Sequence, residues 1–373
     1  MKNMKILYII TSTDVGGAEK ALAELAAFTA KEHTVKVLSL KPLGPVAREL
    51  QAAGVEVASL NMQWYSQTRI IQKLSAAVEA FRPDIVHAML YRGIEYARTA
   101  CAGKGIKLIT TPHFDLSKKN FALRWADRLL KDLDTLTVAE SFSTARYLME
   151  KQKYQKNKVY LLPNGADEKA FYPDASVRSA MRKKYGYTPD NAVFISVARL
   201  APVKDPLTLL QAFRNVLRSF PFTRLVYVGD GAEREKLEAF IRQNKLEQTV
   251  LLAGEQTNIN DWLNMADVFV LPSVEESLPL ALLEALRVGL PCVVSDVGDM
   301  PLWVEHGKNG FVFKKGDLTL LSCLMAELAD SPERRADMGR YSLTLAKRMT
   351  DISKQYQSIY QQLINNSFHV KTA

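Results

Sequence analysis

Short apolar runs alternate with longer segments of helical period along the first 165 residues of the chain. Most positions across these runs are apolar, as expected for strands that helices cover on both faces. A repeated series of strand and helix predicts a parallel sheet. The predicted strands cover residues 6–11, 34–40, 55–60, 84–88, 107–111, 135–138 and 159–162.

A second series of the same kind follows a polar connection that ends near Asn191. It predicts a second parallel-sheet domain, so the chain divides into residues 1–165, residues 166–350, and a C-terminal helix with a tail over 351–373. The predicted strands cover residues 192–198, 225–228, 250–253, 267–271 and 292–295. The predicted helices include residues 258–265, 278–287, 317–330, 332–348 and 351–365.

Two carboxylates stand out between residues 267 and 313, a stretch that predicts strand, loop, helix and strand. Glu276 lies in the loop, and Glu284 lies inside a helix whose other positions are almost all apolar. In open α/β sheets, ligands bind beyond the carboxyl ends of the strands, beside helix N-termini. For each residue alone, the alternative is a solvated Glu276 or a structural ion pair between Glu284 and Arg287. Both acids together, in this context, favour a binding site.

A second candidate pair is cationic. Arg199 follows the predicted strand 192–198, and Lys204 precedes a helix whose dipole disfavours a positive charge at that end. An anion bound between the two side chains would remove this conflict. A surface ion pair between Lys204 and Asp205 is the alternative.

Glycines and histidines follow several strands of the first domain. Gly16 and Gly17 follow the first strand and would let the backbone approach a ligand where a helix begins, although a plain tight turn is the alternative. The spacing is not GxGxxG, and residues 37–39 hold no acid for a ribose, which weighs against NAD. We expect His87 just after residues 84–86 and His113 just after the strand 107–111, but a lone histidine is more often structural.

The composition of the chain indicates its net charge and the cellular compartment that suits it. The net charge is +9, and residues 1–165 carry the whole excess, with 24 basic and 15 acidic residues. This distribution suits an anionic surface or acceptor, with drift between two domains as the alternative. The three cysteines form no CxxC pair, so a zinc site or disulfide framework is not expected and a reducing cytoplasm fits. The apolar start is short for a signal peptide, and no spanning segment is expected.

Residues 118–131 predict a helix that carries an aromatic stripe beside a basic one. The two stripes consist of Phe121, Trp125 and Leu129, and of Arg124, Arg128 and Lys131. This arrangement suits a membrane interface, while a surface helix buried on its aromatic side is the alternative. A further basic run at 151–158 adds charge to the same domain, so the inner face of the cell membrane is a candidate place of attachment.

The stretch from Glu276 to Asp299 resembles the donor-site signature of retaining glycosyltransferases of the GT-B fold, family four. That signature has two glutamates separated by seven residues, then a strand and Ser-Asp-x-Gly-Gly. Here seven residues separate Glu276 from Glu284, and Ser295, Asp296 and Gly298 follow at the expected positions. The Pro-Asn-Gly turn at 163–165 and the spacing of the cationic pair also agree, so the resemblance covers nearly the whole chain.

The resemblance implies an α/β fold of two Rossmann-like domains facing a cleft, the GT-B fold, with the C-terminal helix returning to the first domain. It implies an enzyme that moves a sugar from a UDP- or GDP-linked donor to a saccharide or lipid-linked saccharide, with retention of configuration. Cell-surface polysaccharide or lipopolysaccharide synthesis would be the setting. No cofactor, metal or nucleic-acid partner is implied.

The resemblance also implies catalytic roles. Arg199 and Lys204 would bind the donor diphosphate, and Glu276 would hold the sugar and stabilise the positive charge that develops on its ring. His113 would contact the sugar, and Glu284 would hold the ribose hydroxyls. The remaining residues implied in donor binding are Gly16, Gly17, Gly229, Gly254, Leu280 and Ala281.

Two departures from the family signature keep alternatives open. Pro279 follows the first glutamate where the family has Gly-Phe-Gly, and it removes one N–H that could face a phosphate. Asp299 replaces the second glycine of the usual pair. A sugar-nucleotide epimerase and a non-catalytic subunit that binds sugar nucleotides are therefore the alternatives. The DxD triplet at 132–134 resembles a metal motif of another fold, but it spans a helix end and a strand start and is interpreted as chance.

Overall fold

A computed structural model describes residues 3–62, 67–113 and 120–368. The chain forms two compact units, one of Met1–Pro163 with Asp351–Ala373 and the other of Asn164–Thr350. The N-terminal unit ends at Pro163, two residues before the predicted end of the first domain at residue 165. The C-terminal segment belongs to the N-terminal unit, in agreement with the predicted fold.

Seven parallel strands form the sheet of the N-terminal unit: β1 (Lys5–Ile10), β2 (Thr34–Ser39), β3 (Glu56–Ser59), β4 (Ile85–Met89), β5 (Lys107–Thr111), β6 (Leu136–Ala139) and β7 (Val159–Leu161). Their order is β3-β2-β1-β4-β5-β6-β7. The order reverses between β1 and β4, the place where open α/β sheets form a crevice at the carboxyl ends of their strands. All seven strands agree with the predicted segments to within two residues.

Six parallel strands form the sheet of the C-terminal unit: β8 (Ala192–Val197), β9 (Thr223–Val228), β10 (Val250–Leu252), β11 (Val268–Leu271), β12 (Cys292–Ser295) and β13 (Gly310–Phe313). Their order is β10-β9-β8-β11-β12-β13, which repeats the reversal next to the first strand. Five of these strands were predicted. The sixth, β13, is a short strand that begins with a glycine at the edge of the sheet, so its four residues gave a weak pattern.

Fifteen α-helices connect and cover the strands in the described part of the chain. They are α1 (Gly17–Thr29), α2 (Pro45–Ala52), α3 (Gln67–Phe81), α4 (Tyr91–Cys101), α5 (Phe121–Leu130), α6 (Phe142–Glu150), α7 (Ala175–Lys184), α8 (Pro206–Ser219), α9 (Arg234–Gln243), α10 (Ile259–Met265), α11 (Leu280–Val288), α12 (Met300–Trp303), α13 (Leu318–Asp330), α14 (Pro332–Ala346) and α15 (Ile352–Ile364). Among the described residues, no helix has both the length and the apolar character that crossing a bilayer requires.

Both sheets are covered on their two faces. In β1, Leu7 and Ile9 pack into one apolar cluster while Tyr8 packs into the opposite one. In β8, Ile195 and Phe194 divide in the same way between the two clusters of the C-terminal unit. Burial of neighbouring positions on opposite faces explains why these strands read as continuous apolar runs.

Helix α15 is fixed to the N-terminal sheet by a buried polar network. His87 shares a hydrogen bond of 2.7 Å with the Tyr360 hydroxyl and another of 2.8 Å with the Thr111 hydroxyl. Burial lowers the pKa of His87 to about 3, so the imidazole is neutral at physiological pH. The expectation that the strand ends at residue 86, before His87, was wrong, because His87 lies inside β4 and its two hydrogen bonds are to buried hydroxyls.

Candidate active site

The loop that carries Glu276 joins β11 to α11 and is held by bonds from three directions. The Ser295 hydroxyl donates to the Ser273 carbonyl over 2.5 Å, and the Val274 N–H donates to the Val203 carbonyl over 2.9 Å. The Asn164 side-chain amide donates to the Leu278 carbonyl over 3.0 Å. The loop is therefore positioned by the neighbouring strand, by the turn that contains Lys204 and by the start of the C-terminal unit.

Glu276 and Lys204 form an ion pair, although 72 positions separate them in the sequence. The Ser273 hydroxyl donates to the same carboxylate oxygen, Oε1, over 2.8 Å. The Glu276 side chain is 9% exposed and that of Lys204 is 19% exposed. The alternatives of a solvated Glu276 and of an ion pair between Lys204 and Asp205 were therefore wrong. The structure brings two of the predicted catalytic residues into direct contact.

Gly298 allows the loop with Glu276 to approach the segment after β12. A Cβ atom at Gly298 would lie 2.2 Å from the Glu276 carbonyl oxygen and 2.4 Å from that of Ser277, and the residue has a φ of +56°. The next residue, Asp299, is buried, and its N–H donates to the Ser277 carbonyl over 2.7 Å. This bond anchors the loop through the backbone, so it does not depend on the departure from the family signature at Asp299.

Helix α11 begins at Leu280, directly after the loop, and no side chain caps it among the described residues. Pro279 takes the position before the first helical residue, where it fits the backbone without breaking the helix. The N–H groups at Leu280 and Ala281 are thus available to an anion at the carboxyl edge of the sheet. Glu284 is partly buried one turn further along, on the same side of the helix as Ala281.

The ends of β8, β9 and β10 meet at the same edge. Gly229 donates its N–H to the Gly254 carbonyl over 2.8 Å. At Gly229 a Cβ atom would lie 2.1 Å from the Ala198 carbonyl oxygen, and φ is +134°, so only glycine fits. Arg199 follows Ala198 and is exposed. This glycine turn therefore fixes the backbone that presents Arg199.

The N-terminal unit places its candidate residues at the carboxyl ends of β1 and β5. Gly16 caps α1 in an extended conformation, and Gly17 is the first helical residue. A Cβ atom at Gly16 would lie 2.4 Å from the Glu19 carboxylate, whose other oxygen accepts from the Ser12 hydroxyl. His113 follows β5 with a φ of +49°, and burial lowers its pKa to about 4. The binding roles of Gly16, Gly17 and His113 stay predictions.

A buried charge cluster centres on Arg98 of α4. The guanidinium donates to Asp134 over 2.6 and 2.8 Å, to Asp127 over 2.8 Å and to Glu95 over 2.9 Å. Asp134 also accepts from the Thr110 and Thr137 hydroxyls. The second acid of the DxD triplet is therefore part of this structural cluster. In the described residues, no group of three or more His, Cys, Asp or Glu is arranged to hold a metal ion.

The stripe on α5 points to solvent. Phe121 is 72% exposed, Trp125 54% and Leu129 58%, and the pattern continues at the exposed Leu133. The alternative of a helix buried on its aromatic side was therefore wrong. Lys118 and Lys119, at the start of the predicted helix, lie outside the described residues.

Helix α5 is attached through polar bonds. Asp127 is its fully buried residue and bonds to Arg98 and to the Tyr154 hydroxyl. Arg128 donates to the Lys151 carbonyl over 2.5 Å and to the Gln152 side chain over 3.2 Å. These two bonds from Arg128 place the basic run at 151–158 beside the exposed stripe. Lys151 and Lys153 of this run are exposed.

Sequence reasoning missed two residues that position Glu276. Ser273 and Asn164 were not identified, although a serine follows the proline at the end of β11 and the asparagine lies in the predicted Pro-Asn-Gly turn. Both act through bonds to a loop whose conformation only the folded structure defines.

Comparison with known protein families gives two matches. Residues 177–344 match the family described as Glycosyl transferases group 1, and residues 15–170 match Glycosyltransferase Family 4. The first match includes the Glu276 loop and the Lys204 turn, and the second includes most of the N-terminal sheet.

Individual relatives agree with these matches. N-acetyl-alpha-D-glucosaminyl L-malate synthase of Bacillus anthracis is 26% identical over 310 residues, which are 80% of this chain and 79% of that protein. The UDP-Gal:alpha-D-GlcNAc-diphosphoundecaprenol alpha-1,3-galactosyltransferase of Escherichia coli is 34% identical over 164 residues, 43% of this chain and 42% of that one. The crystal structure of Anabaena HepE with UDP-glucose superposes with a TM-score of 0.85 at 22% identity, covering 97% of this chain and 100% of HepE. The chain therefore belongs to the family-four glycosyltransferases and has the GT-B fold.

Proposed function

We propose that this enzyme transfers a sugar from a UDP-linked donor to a lipid-linked saccharide, with retention of anomeric configuration. The observation that carries the proposal is the pairing of Lys204 with Glu276 beside the uncapped start of α11. This arrangement combines cations and N–H groups for a diphosphate with a carboxylate for the sugar.

The proposed chemistry uses these charges at different atoms. The leaving diphosphate gains negative charge as the glycosidic bond breaks, and Arg199, Lys204 and the first N–H groups of α11 stabilise it. Glu276 holds the sugar and stabilises the positive charge that develops on its ring. Glu284 accepts hydrogen bonds from the ribose hydroxyls of the donor.

We propose the UDP-linked donor and the lipid-linked acceptor by analogy with the substrates of similar proteins. HepE binds UDP-glucose, and the Escherichia coli relative is named for a UDP-linked donor and a diphosphoundecaprenol-linked acceptor. Retention follows the family resemblance. Synthesis of a cell-surface polysaccharide or lipopolysaccharide in the cytoplasm is the setting that we propose.

The test is product analysis. The protein is incubated with UDP-sugars and GDP-sugars, each with and without short polyprenyl-diphosphate saccharides, and the products are identified by mass spectrometry. NMR of the new linkage then gives its anomeric configuration. Transfer with an inverted linkage would contradict retention, and an isomerised donor without transfer would identify an epimerase.

We expect excess EDTA to leave the rate of transfer unchanged. The physical reason is that Arg199, Lys204 and the start of α11 supply the positive charge that the leaving diphosphate requires. The rate is measured with and without EDTA, and with magnesium added back. Loss of activity with EDTA that magnesium restores would show that the assigned cations are insufficient.

We also propose that the face of α5 attaches the protein to an anionic membrane. The exposed residues Phe121, Trp125 and Leu129 provide apolar area, and Lys151 and Lys153 provide positive charge next to it. An apolar helix face beside basic residues is the arrangement that binds anionic lipid surfaces. Each basic residue near such a surface contributes about 1 kcal/mol, so attachment would be reversible and would weaken with salt.

Vesicle co-sedimentation should show binding to anionic vesicles at low salt and release at high salt. We expect Phe121→Ser with Trp125→Ser, and separately Lys151→Glu with Lys153→Glu, to reduce the bound fraction by about ten-fold. These positions suit the test because their side chains are exposed, whereas Arg128 is bonded to Lys151 and Gln152.

The matched control is Lys183→Glu with Lys184→Glu, two exposed lysines on α7 of the C-terminal unit. This control should bind vesicles as the unchanged protein does. Equal loss in the control would indicate a general charge effect, and absence of binding to anionic vesicles would refute the membrane proposal.

A further inference from the structure

One oxygen of Glu276 has two hydrogen-bond donors of different kinds. Lys204 contacts Oε1 through its ammonium group, and Ser273 donates its hydroxyl to the same atom over 2.8 Å. The ammonium sits on a long flexible side chain, whereas Ser273 is buried and its backbone carbonyl is fixed by Ser295. One donor can therefore move and the other is fixed.

In the proposed function, Lys204 has a second binding partner, the diphosphate of the donor. A donor diphosphate carries more negative charge than one carboxylate and would attract the same ammonium group. Glu276 is 9% exposed, and leaving a carboxylate this buried without a hydrogen-bond donor costs free energy. If Lys204 turns to the diphosphate, Ser273 remains as a donor to Glu276.

We propose that donor binding moves Lys204 from Glu276 to the diphosphate, and that Ser273 is a positioning residue that holds the Glu276 carboxylate after this exchange. The inference rests on the proposed function and assigns a sequence of contacts within the same site. Glu276 competes with the diphosphate for Lys204 before donor binding, and its carboxylate becomes available to the sugar only when the donor is present.

Competition of this kind has a measurable consequence for binding. Glu276→Gln removes the competing negative charge and leaves a side chain of similar size. We therefore expect this variant to bind UDP about three- to ten-fold more tightly than the unchanged protein, as measured by isothermal titration calorimetry. Lys204→Met should weaken UDP binding.

The double variant separates exchange from other effects of the glutamine. If the tighter binding depends on release of Lys204, it disappears when Glu276→Gln is combined with Lys204→Met. A glutamine effect that persists without Lys204 would show a direct repulsion between Glu276 and the nucleotide, and would overturn the exchange.

The role of Ser273 is tested by kinetics. We expect Ser273→Ala to lower kcat about ten-fold while UDP affinity changes less than two-fold, because the lost bond acts on the carboxylate once Lys204 has left. Ser273→Thr keeps the hydroxyl and should restore most of kcat. Thermal unfolding of each variant shows whether it is folded. Equal loss of kcat in the folded alanine and threonine variants would overturn the positioning role.

The outcomes also separate this inference from the proposed function. If the unchanged protein binds neither UDP nor GDP, both are wrong. If it binds UDP and transfers sugar but Glu276→Gln does not tighten UDP binding, the exchange alone is wrong.

Discussion

Replacing Glu276 with glutamine should lower kcat by about 10²–10³-fold while the variant still binds the donor nucleotide. The reason is that the carboxylate charge acts on the sugar ring, where positive charge develops only as the glycosidic bond breaks. An interaction made mainly in the transition state affects kcat more than KM. The measurement is steady-state kinetics of transfer, with UDP affinity determined separately by calorimetry.

Glu284→Gln is the matched control, because it removes an equivalent charge on the neighbouring helix. Its proposed partner is the ribose of the donor, which changes little during the reaction. We therefore expect donor KM and the dissociation constant of UDP to rise about ten-fold while kcat changes little. The assignment of the two acids would be refuted if both variants lost kcat equally, or if both lost only thermal stability.

The fold could be predicted largely because burial on both faces gives most strands a clear apolar run. The run at residues 159–162 contains β7, and the run at 292–295 coincides with β12. Edge strand β13 was missed because only four residues and a leading glycine mark it. His87 was misplaced because periodicity does not locate the end of a strand, and a polar residue inside a buried run can be satisfied by a distant helix.

The residues of the candidate site could be predicted from their chemical types and their positions at strand ends. The contacts between those residues could not be predicted. The sequence identified Glu276 and Lys204 separately, each with a local alternative. Their pairing across 72 positions depends on the strand order, which brings the ends of β8 and β11 together. Ser273 carries no sequence signal of its own, since its function depends on which carboxylate its hydroxyl meets.

The orientation of helix α5 could not be predicted from the sequence either. Its pattern of apolar and polar positions is typical of a surface helix packed on its apolar side, yet Phe121 and Trp125 are exposed. The attachment of this helix depends on Asp127, whose partners come from α4 and from the segment before β7. A helix whose main anchor is charged cannot be oriented from its hydrophobic pattern alone.

Arg98→Met should destabilise the N-terminal unit by about 3–5 kcal/mol, because removal of one partner leaves buried charges without compensation. The side chain of Arg98 is 1% exposed, and the methionine retains most of its apolar stem. The measurement is urea unfolding, with hydrogen exchange in α4 and β6 to assign the loss to this unit. Lys104→Met is the control: it removes an ion pair with the exposed Glu79 and should cost at most about 1 kcal/mol.

The pH dependence of the deficit distinguishes lost charge compensation from lost packing. Burial raises the pKa of Glu95 to about 7 and also raises that of Asp134, and without Arg98 both should rise further. A carboxyl group whose pKa is higher in the folded state favours folding below its unfolded pKa, and this contribution is lost as the pH rises through the folded pKa. The loss of unfolding free energy in Arg98→Met should therefore be largest near about pH 8. It should become smaller towards about pH 5, as the buried acids that lack Arg98 become protonated. A deficit that is the same at both pH values would mean that Arg98 stabilises the unit through packing alone.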